Sequence, residues 1–331
     1  MKSGCGTALA ATALVLAGCA TSSEPGQGGS ATPSSSSTAS PSGTQAAGAN
    51  GSLYYYPQPG TRADRYPIDT DGTIGAPVAV PWKTGADAEA TVLADGVGPW
   101  ALTRIVELPF SDVAATRSLQ VLRVETGEVA HEIKVPGWCS GPDGASYPCL
   151  LLDETRMVRT TPIDGERDGT ITISSTVTGD TIAEYGPFPV LAGVLPTTSP
   201  DYIIFLTYDR TARQHTILRL DTRTGDTTEI GTLPVQQPPI CVLGTDSVLS
   251  YDSKLKVVGP AAVAAVEVPE LANDGPGAVG CSANGSHVYV RTSTAFDPEK
   301  ELGIDAVAVA DGSRKSAVTL ESSQAYLQMT R

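Results

Sequence analysis

Cysteine, histidine and acidic residues are where chemistry would first be sought in this chain, and their spacing closes off several kinds. The cysteines are Cys5, Cys19, Cys139, Cys149, Cys241 and Cys281. No two form a Cys-x-x-Cys and no histidine pair lies near them, so a zinc site lacks its ligand spacing. The run Asp69-x-Asp71-Gly72 has the form of a calcium loop. Pro67, however, stands at the first ligand position of that register, and Val78 stands at the twelfth, where a Glu is required. It reads as a hairpin turn. There is no Gly-x-Ser-x-Gly, phosphate-binding loop or dinucleotide fingerprint. What remains is a set of aromatic and basic residues between apolar runs: Trp82 in "PWKTGAD", Trp138 and Tyr147 in "PGWCSGPDGASYP", and Arg210 and Arg213 in "YDRTARQ". Residues of these types anchor interfaces.

The elements that must position them follow from composition. The 331 residues are 40% hydrophobic with 34 Gly and 25 Pro, a balance that suits many short strands joined by turns. No segment beyond the N-terminus repeats apolar residues at three and four, and none approaches the roughly 18 consecutive apolar residues of a membrane span. The formal charge is −14 and the chain has no Lys/Arg stripe. A polyanion is held by basic clusters that release counterions, so nucleic acid is excluded as a partner, and adhesion to anionic lipid by charge is disfavoured for the same reason.

Residues 1–18 carry one cation, Lys2, and an apolar core from Ala8 to Ala17 that is too short to span a bilayer. Leu16-Ala17-Gly18-Cys19 then resembles the lipobox of bacterial lipoproteins. The resemblance implies that residues 1–18 are a signal peptide, that the chain is cut before Cys19, and that the Cys19 thiol carries a diacylglycerol. Two acyl chains hold a protein stably at a membrane where one holds marginally. Residues 19–50 are mainly Ser, Thr, Gly, Ala and Pro with a single charge, Glu24, and cannot bury enough to fold. As a flexible tether they would span roughly 30 Å.

From Gly51 to Arg331 one phrase recurs, an apolar strand, a turn centred on Gly and a second strand: "YPIDTDGTIGAPVAV", "QVLRVETGEVAHEI", "ITISSTVTGDTIAEY", "ILRLDTRTGDTTEI", a weaker "KLKVVGPAAVAAVEV", and "AVAVADGSRKSAVTL". The turn glycines are Gly72, Gly127, Gly179, Gly225, Gly259 and Gly312, spaced by about 48 residues, a period that suits the four-stranded blade of a β-propeller. Six such units fill residues 51–331. A pair of β-sandwiches, the alternative all-β arrangement, has no reason to repeat at that period. Each hairpin supplies the third and fourth strands of a blade, and the first two precede it. "YIIFL" is apolar on both faces, as a strand packed between neighbouring blades should be. The first unit, "SLYYYP", lacks an innermost strand and the final "AYLQM" lacks a blade, so joining the two closes the ring and removes its edges. The "LDTRTG" phrase resembles quinoprotein-like and surface-layer propeller repeats. The Trp that marks a quinoprotein blade is absent after each turn, so no quinone or other cofactor is expected.

On these strands Cys149, Cys241 and Cys281 occupy innermost positions and Cys139 the loop before Cys149, which leads to the pairs Cys139–Cys149 and Cys241–Cys281 in an exported chain. His131, His215 and His287 fall on fourth, third and second strands of different blades, too dispersed for a metal or triad site. The resulting expectation is a lipid-anchored, extracytoplasmic, six-bladed β-propeller that binds an envelope protein or a cell-wall glycan. The binding face would be the one carrying the long loops, through Trp82, Trp138, Tyr147, Arg210 and Arg213. The alternative function is a hydrolase or lactonase with a metal where the central channel opens, and no ring of ligands for it is assignable.

Overall fold

The structure is a computed structural model that describes residues 50–56, 63–82, 89–107, 116–134, 139, 149–161, 168–235, 239–251, 254–260, 266–267, 278–292, 301–321 and 326–331. All regular structure among them is β. β1 (Ser52–Tyr56), β2 (Asp64–Pro67) and β3 (Val78–Ala79) form three strands of blade 1. Blade 2 is β4 (Glu89–Val97), β5 (Trp100–Glu107), β6 (Thr116–Arg123) and β7 (Val129–Ile133). Blade 3 is β8 (Cys149–Leu151), β9 (Arg156–Thr161), β10 (Gly169–Ser175) and β11 (Thr181–Phe188), and blade 4 is β12 (Leu191–Pro196), β13 (Tyr202–Asp209), β14 (Gln214–Asp221) and β15 (Thr227–Pro234). Blade 5 is β16 (Pro239–Leu243), β17 (Ser247–Tyr251), β18 (Lys254–Val258) and β19 (Val266–Glu267). Blade 6 is β20 (Ala278–Cys281), β21 (His287–Arg291), β22 (Leu302–Ala308) and β23 (Arg314–Leu320). The last strand, β24 (Tyr326–Thr330), pairs antiparallel with β1 from Ser52↔Thr330 to Tyr56↔Tyr326 and completes blade 1. The protein is a six-bladed propeller with strand order inner to outer in every blade. β4, β8, β12, β16, β20 and β24 neighbour one another in sequence around the channel.

Each seam between blades is its own apolar core. Along β13, Ile203 and Phe205 enter the cluster shared with blade 3, while Ile204 and Leu206 enter the one shared with blade 5. All four are buried. Successive side chains of a strand point to opposite faces, so a strand with two covered faces must be apolar throughout. Fully burying one such side chain contributes about 1.5–3 kcal/mol.

The recurrent hairpins share one geometry in blades 2, 3, 4 and 6. The N–H groups of Gly127, Gly179, Gly225 and Gly312 donate to the carbonyls of Arg123, Ser175, Asp221 and Ala308, at 2.8, 3.0, 2.9 and 2.9 Å. The glycine of the blade 1 turn carries an additional constraint. Gly72 has φ +80°, and a Cβ there would lie 2.4 Å from His287 Nδ1 on blade 6. Its carbonyl accepts a hydrogen bond from the buried Tyr289 hydroxyl at 2.8 Å. Gly72→Ala should therefore lose more than the roughly 1–2 kcal/mol that a left-handed backbone costs an L-residue. Gly244→Ala is the control, since Gly244 has φ +65° and nothing within 4 Å of its absent Cβ. Chemical denaturation of the two variants should rank Gly72→Ala clearly below Gly244→Ala, and equal losses would show that the seam tolerates the clash.

The described domain begins at Asn50, which is 2% exposed. Its N–H donates to Ile68 O at 3.2 Å and its carbonyl accepts from Ala283 N at 2.9 Å. Its side chain donates to Asp69 O at 3.2 Å and accepts from Asn284 N at 2.8 Å.

Candidate functional site at the short-turn end of the channel

The inner strands deliver short turns to one end of the channel, among them Gly98-Pro99 after β4 and Thr197-Thr198 after β12. Arg331, directly after β24, lies across this end and joins three blades besides its own. Its Nη1 donates to Thr197 O at 2.9 Å, and its Nη2 donates to Leu151 O at 2.7 Å and to Asp95 Oδ2 at 2.9 Å. Its backbone is held as well, with Gly98 N donating to Arg331 O at 3.0 Å. Asp95 follows an irregularity of the β4–β5 register between Leu93 and Asp95, the kind of local bulge that re-aims a side chain. It also accepts the Leu151 N–H at 2.7 Å. The Asp95 and Arg331 side chains are only 8% and 14% exposed. Burial raises the Asp95 carboxyl above the usual carboxylate range, against the opposing pull of Arg331 and the N–H groups of Leu151 and Gly96.

Two cavities meet at this latch and share Thr197, Thr198, Ala283, Thr330 and Arg331 in their walls. The inner chamber, about 240 Å³, is lined by apolar residues of β12, β16, β20 and β24 such as Leu195, Ile240, Val279 and Met329, and by Cys241 and Cys281. The outer mouth, about 440 Å³, runs over the seam of blades 1 and 2 past Ser52, Tyr54, Arg65, Pro99 and Glu125. Tyr54 and Arg65 are directly opposite on β1 and β2, so they share a face. The Tyr54 ring is backed by Trp82, stacked at 5.4 Å with 20° between the planes. Burial holds the Tyr54 hydroxyl well above its ordinary pKa despite the neighbouring positive charge of Arg65.

The residues singled out from sequence are dispersed. Cys139–Cys149 and Cys241–Cys281 are both disulfides, with Cα atoms 5.4 and 6.1 Å apart. The first stands beside β8, where Cys139 O accepts from Arg104 Nη1 at 3.3 Å. The second ties the inner strands of blades 5 and 6. Trp82 is half-buried in the seam of blades 1 and 2, and its Nε1 has no hydrogen-bond partner. Arg210 and Arg213 are exposed on the β13–β14 hairpin, at the long-loop end. Asp209 Oδ1 accepts from Thr211 N and Ala212 N at 2.8 and 2.9 Å, and Arg213 takes φ +54°. Cys19, Trp138 and Tyr147 lie outside the described residues. His131, His215 and His287 sit on blades 2, 4 and 6. Asp71 caps its own turn, accepting from Thr73 N at 2.9 Å, and these bonds to Thr73 lower its pKa. Among the described residues no three His, Cys, Asp or Glu side chains are grouped to hold a metal ion. The latch and the mouth escaped sequence reasoning. One signal was present: a strand read as closing the ring must deliver the residue after it, Arg331, to the channel end.

The fold defines the class, a six-bladed β-propeller closed by pairing its last strand with its first three. No protein-family model matches the chain, and none of the curated proteins does. Among solved structures it is similar to TolB from Acinetobacter baumannii, with 15% identity and TM-score 0.47, over 85% of this chain and 66% of that one. The chain thus spans just under two thirds of that protein's length. It is also similar to a putative TolB from Agrobacterium tumefaciens, at 11% identity and TM-score 0.41 over 85% and 99% of the two chains. A putative 6-phosphogluconolactonase from Bacteroides uniformis aligns at 13% identity and TM-score 0.43, over 82% and 83%. At such identities the likeness is one of fold. The two disulfides are those of a protein that folds in an oxidising, extracytoplasmic compartment.

Proposed function

We propose that the protein is a lipid-anchored, extracytoplasmic binding module, tethered through Cys19, that presents the long-loop face of its propeller to an envelope protein or a cell-wall glycan. The observation that carries this reading is the β13–β14 hairpin. Its capped turn holds Arg210 and Arg213 exposed on a rigid support, and Arg is among the residue types that anchor interfaces. Trp138 and Tyr147 belong to the same proposed face, while Trp82 serves it only indirectly, since its ring is committed to Tyr54. Confinement at a membrane raises the effective concentration of any partner met there, so a weak site suffices.

Two measurements test the two halves of the proposal. Cys19→Ser should move the protein from the detergent phase to the medium or leave uncleaved precursor, and unchanged partitioning and maturation would remove the anchor. Pull-down from solubilised membranes should lose its partners with Arg210→Ala/Arg213→Ala. An unchanged set of partners, with the variant equally folded, would remove the hairpin from the binding face.

A further inference from the structure

Arg104 on β5 is a partly buried cation that meets no anion among the described residues. Other partly buried guanidiniums of the propeller do meet a carboxylate: Arg331 meets Asp95, Arg314 meets Asp305 and Arg156 meets Asp153. The Arg104 side chain makes one hydrogen bond among these residues, from Nη1 to Cys139 O at 3.3 Å, which is long for its type. Its Nε is sealed from solvent and has no acceptor. Burial lowers the pKa of the guanidinium, and no carboxylate among these residues opposes the shift.

The surroundings are apolar. Leu102, two residues earlier and so on the same face of β5, is fully buried in the seam of blades 2 and 3 with Leu119, Cys139, Cys149 and Met157. Val92 and Leu119 stand directly opposite Arg104 on β4 and β6. Across the seam Arg159 is directly opposite Cys149 and shares the face of Met157. The Cys139–Cys149 disulfide, with Cα atoms 5.4 Å apart, thus has a guanidinium beside each of its residues. Only one of the two is answered within the described residues, since Glu184 acts on Arg159 and Ser174 Oγ accepts from its Nε at 3.1 Å. A cation drawn into an apolar seam is ordinarily paired, because its desolvation is otherwise uncompensated, and an unanswered one points to a missing ion. Arg104 keeps partial exposure although Nε has none, so an added acceptor would sit on its Nη groups.

We propose that Arg104 anchors a binding site for a single oxyanion, a carboxylate or a phosphate group, in the seam between blades 2 and 3. The planar guanidinium receives either group through parallel charge-assisted bonds, each roughly twice as strong as a neutral one. Cys149 opens β8 and Arg104 lies past the middle of β5, which sets the site toward the long-loop end. It gives the partner of that face a chemical class, and it rests on the function proposed above only for what carries the anion.

Melting temperatures of wild type and Arg104→Met, followed against phosphate, acetate, glycerol phosphate and glucuronate at ionic strength matched with sodium chloride, test it. An anion that binds the folded state raises the wild-type melting temperature with the logarithm of its concentration above the dissociation constant. Arg104→Met feels the same general salt effects and should lose at least tenfold in the affinity so derived. In chloride alone the variant should be at least as stable as wild type, because it removes an unanswered charge and keeps an apolar stem. Tighter binding of glycerol phosphate and glucuronate than of phosphate and acetate assigns the anion to a sugar-like ligand, and the reverse order assigns it to a free ion. A variant that melts lower in chloride or does not fold overturns the proposal, since the fold then already answers the charge with a carboxylate of its own. Parallel responses of the two proteins to all four anions overturn it as well. The pull-down through Arg210 and Arg213 is read separately, so an empty seam and an idle hairpin are distinct failures.

Discussion

Replacing Arg331 with Met should cost about 3–5 kcal/mol of unfolding free energy, the range for breaking a buried ion pair from one side. The guanidinium spans Thr197, Leu151 and Asp95, so its loss leaves a buried carboxylate and two carbonyls without their donors. The deficit should depend on pH with a definite sign. In the wild type the folded pKa of Asp95 already lies above its unfolded value, so the contribution of this group is complete below the unfolded pKa and is lost as pH rises through the folded one. Removing Arg331 takes away a positive charge and a hydrogen bond that lower that pKa, so the variant should lag furthest behind wild type near neutrality and recover toward pH 4. Asp95→Asn combined with Arg331→Met should be more stable at pH 7 than Arg331→Met alone. Denaturant titrations of the three proteins at both pH values decide it, and a pH-independent deficit would show that Asp95 is not the stranded group.

The disulfide that spans the chamber should be the more valuable of the two and the first to yield. Cys241–Cys281 closes 40 residues and Cys139–Cys149 closes 10. In the chain-entropy picture these are worth about 4 and 3 kcal/mol. Cys139 and Cys149 are 6% and 4% exposed, whereas Cys241 and Cys281 are more open and line the chamber wall. Graded reductant followed by differential alkylation should label Cys241 and Cys281 first, with most of the loss of melting temperature at that step. Prior labelling of Cys139 and Cys149 would contradict the access route through the chamber.

The blades were legible in the sequence because each hairpin needs one glycine with positive φ, and all six glycines singled out have it. Strand alternation did the rest: "YIIFL" reads as doubly covered and is, and "AYLQM" reads as a strand in want of a blade and pairs with β1. Both disulfides followed once Cys149, Cys241 and Cys281 were placed on inner strands and Cys139 in the loop before Cys149. The channel end was not legible. It is assembled from short turns of several blades that each contribute a residue or two, and Gly98-Pro99 or Thr197-Thr198 is unremarked in isolation. Asp95 and Arg331 are 236 positions apart, each at the end of an ordinary strand pattern. Arg65 and Glu125 line one cavity only because blades 1 and 2 pack side by side. Long aromatic loops draw attention in a sequence, whereas a pocket made of short turns leaves no local mark.

The bonds of Asn50 would take up load before the first strand does if the domain were pulled from that end. Ser52↔Thr330 is the first rung of the ladder that closes the ring, and β1 and β24 run antiparallel from it. Tension arriving at Ser52 would open that ladder one rung at a time, the direction in which paired strands resist least. Asn50 intercepts the load first. Its bonds to Ile68 and Asp69 pass it to the blade 1 hairpin, and those to Ala283 and Asn284 pass it to blade 6. Load entering at Asn50 would thus be shared between two blades before it reaches the β1–β24 ladder that closes the ring.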